Sequence, residues 1–142
     1  MRKRRGVTLL ELMTVVIVVG ILAALAIPLG FRAQERVRGG KAMEALGTIR
    51  ASQLRFREWS RSMRNQDVYT MTPGDLDFEL GVDDDWTYTV ADATAPTLTS
   101  RATATRTAAH GGTTSNIIQI TFVSSALCSN ASVYGLTICA GP

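Results

Sequence analysis

Residues 12–31 form a run of 20 positions without a charge. As a helix rising about 1.5 Å per residue, such a run spans the roughly 30 Å apolar core of a bilayer. Pro28 removes a helix N–H and crowds the preceding turn. Gly30, Gly39 and Gly40 each weaken a helix by up to about 1 kcal/mol relative to Ala. These positions read as bends in one long helix, with a break at Gly39-Gly40 as the alternative. From Lys41 the pattern becomes that of a soluble amphipathic helix. Ala42, Ile49, Phe56 and Met63 recur every seven residues, with Ala45, Leu46 and Trp59 on the adjacent face. The stripe predicts a helix over residues 32–64 that lays its apolar side on a sheet.

Beyond it the periodicity switches to two. Residues 86–90 and 116–123 alternate large and small or apolar and polar positions, and Tyr134, Leu136 and Ile138 alternate again. Residues 98–104 are a weaker candidate, rich in Thr and Ala. Pro73-Gly74, Pro96 and residues 110–113 supply turn signals. Asp75 is placed to cap a short helix through Leu76, Phe78 and Leu80, with Gly81 as its stop. One amphipathic helix against about four antiparallel strands makes an α+β roll.

Charge is distributed unevenly. Fifteen Lys and Arg against twelve Asp and Glu leave the chain formally basic by three. Four cations are Arg2, Lys3, Arg4 and Arg5, next to the apolar run. Residues 32–64 hold nine cations and three anions, whereas residues 65–92 hold eight acids and no cation. The helix arginines have three readings: a solvated face with pairs such as Glu58–Arg61, contact with an acidic neighbour, or nucleic acid. The last is disfavoured because no stacking aromatics interleave with the cations. The acidic block of one subunit facing the basic helix of the next would favour one register on packing. Asp83-Asp84-Asp85 offer oxygen ligands for Ca²⁺ but lack the alternating loop and closing Glu of an EF-hand, so a solvated acidic turn is the simpler reading and no metal is assigned.

The basic cluster at residues 2–5 favours an N terminus on the cytoplasmic side, although Arg32, Arg36, Arg38 and Lys41 flank the other end. A cleaved secretory signal fits poorly, because the apolar stretch is too long and continues past Ala24-Leu25-Ala26. A plain signal anchor leaves Glu11 unexplained. A charge at the bilayer centre costs about 2.5–3.5 kcal/mol, less near the edge, where Glu11 could reach the headgroups.

Lys3-Arg4-Arg5-Gly6-Val7-Thr8-Leu9-Leu10-Glu11-Leu12 resembles the leader and first mature residues of type IV prepilins and pseudopilins. Gly20 and Pro28 match further positions that the family commonly fills with Gly and Pro. Val7 departs from the usual Phe but stays apolar. The resemblance implies a leader at residues 1–6, cleavage between Gly6 and Val7 by a prepilin peptidase, and methylation of the Val7 amine. It implies a transmembrane and filament-core helix at residues 7–31, in which Glu11 meets the Val7 amine of a neighbouring subunit. A carboxylate in an apolar core needs such a cation. Without residues 1–6 the side chains carry eleven cations against twelve anions, so the basic sum is largely a leader.

Residues 65–142 then form the connection and sheet of an exported head. There Cys128 and Cys139, which enclose ten residues, are expected to be oxidised. In pilins a loop resembling this one often forms the exposed edge. Asn130-Ala131-Ser132 fits a glycosylation sequon. His110 is the only histidine, and no phosphate-binding loop, dinucleotide fingerprint or nucleophile motif accompanies it, so neither an enzyme nor a cofactor is expected. The reading is a structural subunit of a type IV pilus, held in the bacterial inner membrane and then assembled into an extracellular filament. It would serve attachment, twitching motility or DNA uptake. Its partners would be copies of itself, related minor pilins, the peptidase and an inner-membrane assembly platform. The alternatives are a pseudopilin of a type II secretion system, with a periplasmic filament, and a membrane-anchored binding domain.

Overall fold

Helix α1 (Leu9–Arg64) opens at a Thr8 cap and runs through Pro28, Gly30 and Gly39-Gly40 without a break. The computed structural model describes residues 7–79, 81, 83–91 and 99–139, and for residues 28 and 29 the backbone only. Asn65 ends α1 by entering the left-handed region at φ 55°. The Gln66 N–H then reaches back to the Ser60 carbonyl at 3.2 Å. The chain divides into two compact units, Met1–Glu35 and Arg36–Pro142, and α1 contributes to both.

The second unit carries one sheet. Strands β1 (Trp86–Ala91), β2 (Arg101–Arg106), β3 (Ile117–Thr121), β4 (Leu127–Ser129) and β5 (Thr137–Ile138) lie side by side in chain order. The first three pairings are antiparallel, and β4 with β5 is parallel. The α+β architecture, a long helix with its second half on a mostly antiparallel sheet, is therefore as expected. The detail differs in two places. Strand β4 has only three residues, Leu-Cys-Ser, too few to show alternation. Residues 134–138, expected as one strand, split into a 3-10 turn at Ser132–Tyr134 and the two-residue β5, because Gly135 turns the chain at φ 69°. Pro96 and Leu98, expected in a turn and a strand, lie outside the described residues.

The short helix expected after Asp75 is replaced by a 3-10 turn at Pro73–Asp75, after which Leu76 is already extended at ψ 148°. The Asp75 carboxylate caps nothing; it accepts the Thr70 hydroxyl at 2.7 Å. Leu80, part of that expectation, lies outside the described residues.

The core joins Ala42, Leu46 and Ile49 of α1 to Trp86, Ala102, Ala104, Ile118, Ile120, Phe122 and Tyr134. On β2 and β3 burial alternates with period two, as the pleat requires. On α1 the heptad stripe holds only at its start. Met63 is 72% exposed and Trp59 44% exposed, while Ser52, Gln53 and Ser60 are buried. A straight helix drifts about 20° per heptad against a seven-residue repeat, so the line facing the sheet leaves 56 and 63 for 53 and 60. Gln53 lies in the core because both ends of its amide are used: Nε2 donates to the Thr70 carbonyl at 2.7 Å and Oε1 accepts the Thr70 N–H at 2.9 Å.

Candidate functional site

Val7 precedes the helix, is non-helical and is 73% exposed. Thr8 caps α1: its Oγ1 accepts the Glu11 N–H at 3.2 Å. Thr8 and Glu11 thus stand at the cap and third helical positions of the Thr-x-x-Glu pattern, with the Thr8 side-chain bond formed, a pattern readable in the sequence but absorbed there by the leader motif. It starts the helix within two residues of the Gly6–Val7 bond, and the Glu11 charge suits the positive helix N-terminus. Gly6 lies outside the described residues.

Every side chain from Val7 to Ile27 is exposed, including Leu9 at 76%, Val16 at 64% and Leu25 at 67%. This stretch is long and apolar enough to cross a membrane. Apolar surface on that scale requires lipid or protein to cover it. A Cβ at Gly20 would meet nothing within 4 Å, so no contact inside this chain requires glycine there. Pro28 sits within α1.

In the second unit the acidic connection turns inward on its own helix. Arg57 and Arg61 both bind Asp67, and Arg55 makes a two-pronged pair with Asp77. These partners hold both carboxyls well below the usual range: Arg57 first and then Arg61 for Asp67, Arg55 first and then Ser52 for Asp77. Asp85 meets Arg106 at 3.0 Å, His110 Nδ1 at 3.0 Å and Arg38 at 3.5 Å. Burial pushes the Asp85 carboxyl up, but His110, Arg106 and Arg38 together outweigh it and hold the group below its ordinary value. Arg106 is fully buried and lies 5.7 Å over the Trp86 ring, whose Nε1 donates to the Arg38 carbonyl at 3.1 Å.

Asp67, Asp77 and Asp85 are paired within the chain by helix and strand arginines, which takes three of the eight acids out of the proposed contact between an acidic block and a neighbouring basic helix. The Asp83 carboxylate accepts the Asp85 N–H and the Tyr88 hydroxyl, both at 2.9 Å, rather than converging with its neighbours as a cation site. Burial first, and then Asp83, push the Tyr88 hydroxyl well up. Arg61 pairs with Asp67 across the helix end in place of the expected Glu58.

Cys128 and Cys139 form a disulfide with Cα atoms 4.8 Å apart. The loop that they close docks on α1. Tyr134 packs over Gly39 and stands 5.6 Å from the Trp86 ring, and Arg36 Nε donates to the Val133 carbonyl at 3.3 Å. Inside the loop, Asn130 Nδ2 donates to the Ser115 carbonyl at 2.6 Å and Oδ1 accepts the Ile117 N–H at 2.8 Å. The nitrogen that a glycan would occupy is therefore engaged with the Ser115 carbonyl, ahead of β3.

Residues 1–27 match the prokaryotic N-terminal methylation motif. That prepilin-type motif supports a pilin-like or pseudopilin-like protein and points to a structural role. No curated protein and no solved structure matches the chain. The prepilin-type segment and the exposed apolar helix are consistent with membrane anchoring before assembly.

Proposed function

We propose that this chain is a structural subunit of a type IV pilus, made as a prepilin and polymerised through residues 7–31. The observation that carries the reading is the coincidence of the methylation motif with a fully exposed apolar helix that opens at Thr8. A prepilin peptidase would cut at Gly6–Val7 and methylate Val7, and an inner-membrane platform would feed the helix into a filament with other copies and minor pilins. Gly20 and Pro28 would act in packing between those helices. The exposed apolar surface would pass from lipid to the filament core. There the Glu11 carboxylate would meet the Val7 amine of a neighbour, since each charge left alone in an apolar core is costly.

The reading is tested with Glu11→Ala. Leader removal should continue while filament yield falls sharply. Normal filament yield contradicts the pairing. Filaments sheared from the cell surface should contain this chain; its confinement to the periplasm would point instead to a secretion pseudopilus.

A further inference from the structure

Beyond filament formation, the second unit holds a cavity of about 300 Å³ whose lining has an unusual mixture of chemistry. A larger cavity of about 600 Å³ is lined in part by Glu79 and Val90, close to stretches outside the described residues. The smaller one is lined by residues of α1 and of the connection that follows it. Its walls include Phe56, Trp59, Arg55, Arg64, Asp75 and Asp77.

Trp59 is 44% exposed, in contrast to Trp86 at 2%. Its indole is nevertheless held in place. Phe56 lies 5.6 Å away at 47°, and the Arg64 guanidinium lies 4.7 Å over the ring. An indole fixed in this way offers a flat apolar surface at little entropic cost. The charges around it cancel, with two arginines against two aspartates. Arg55 already spends Nε and Nη2 on Asp77, which also accepts the Ser52 hydroxyl. An anion would face both carboxylates, and a cation would compete with arginines already in place. Asp75 accepts one hydrogen bond, from Thr70, and an ionised carboxylate has about four acceptor sites. Arg64 presents its N–H donors in the plane of the fork.

We infer that this cavity binds a neutral sugar ring. A pyranose has an apolar C–H face, which suits the negative face of an indole. Its hydroxyls both donate and accept, which suits Asp75 and the arginine fork together. The volume is at the lower end for small-molecule sites and fits a single ring. The ligand class is thus a neutral hexopyranoside, free or at the end of a glycan.

The site is lined by one chain alone, so it can be tested without filament formation. The full-length chain in detergent micelles is examined by saturation-transfer NMR. The neutral probes are the methyl glycosides of galactose, mannose and N-acetylglucosamine, and the charged probes are choline and inorganic phosphate. At least one neutral glycoside should receive saturation at its ring C–H protons. Trp59→Ala should abolish that transfer with the near-ultraviolet signal of buried Trp86 retained. Asp75→Asn should weaken binding by about tenfold or more, the size expected for losing a hydrogen bond to a charged acceptor. The inference is overturned if no neutral glycoside binds, if binding survives Trp59→Ala, or if choline or phosphate binds more tightly than every glycoside.

Discussion

Gly39 of α1 and Tyr134 of the disulfide loop approach so closely that a Cβ on Gly39 would lie 2.4 Å from Tyr134 Cδ1. The ring has little freedom to retreat, because Trp86 stands on another side of it. The neighbouring glycine is different: a Cβ at Gly40 would meet nothing within 4 Å. Gly39→Ala should therefore destabilise the folded chain by about 1–3 kcal/mol, the usual cost of overpacking. Gly40→Ala should be neutral or stabilising by up to about 1 kcal/mol, from helix propensity alone. Urea denaturation of both variants in the same detergent checks the contrast; equal shifts would show that the notch does not matter.

The sequence presents these two glycines as equivalent weak points in a helix. Nothing local distinguishes them, since the distinction is made by a tyrosine 95 positions further on. The same limit applies elsewhere. The period-two runs at Trp86, Ile118 and Ile120 were legible because a sheet face imposes alternation directly. Strand β4 and the turn at Gly135 were not, because three-residue pairings depend on the strands beside them. Heptad spacing placed Ala42 and Ile49 correctly and misplaced Met63, an error that grows with distance along a straight helix. The leader motif was legible because it is a local chemical signal. Asp67, Asp77 and Asp85 read as an open acidic block because their partners, Arg57, Arg55 and Arg106, are fixed by tertiary packing.

Those three carboxyls should govern acid stability. Each ionises more readily in the folded chain than in the unfolded one, where an aspartate has a pKa near about 3.9. A depressed folded pKa gives stability that is present above the unfolded value and lost progressively as the pH falls from there through the lower folded one. Urea midpoints should therefore be level near neutrality and fall below about pH 4. Asp77→Asn should make that fall shallower, and an unchanged profile would contradict the assignment.

Asp85→Asn should be costly at neutral pH. It removes a charge partner, 3.0 Å away, from Arg106, which is fully buried. Breaking a buried pair on one side typically costs about 3–5 kcal/mol. Asp84→Asn, at an exposed position, should change stability by less than about 0.5 kcal/mol. Comparable losses in the two variants would remove Asp85 from its central place.

Replacing both Cys128 and Cys139 by Ser should lower stability by roughly 3 kcal/mol, from the loop entropy returned to the unfolded chain. The loss should appear together with release of Tyr134 from Gly39, read as a change in the near-ultraviolet dichroism of Trp86 beside it. Full stability in the double variant would mean that the loop docks without its tether.

Processing at the N terminus tests the functional reading most directly. The chain is expressed in a cell with an active prepilin peptidase, recovered from the membrane fraction, and sequenced from its amino end with the mass of the terminal peptide. The mature protein should begin at Val7 and carry a methyl group on that amine. A membrane-bound chain that retains residues 1–6 would contradict both the pilus and the pseudopilus readings and leave an ordinary anchored domain.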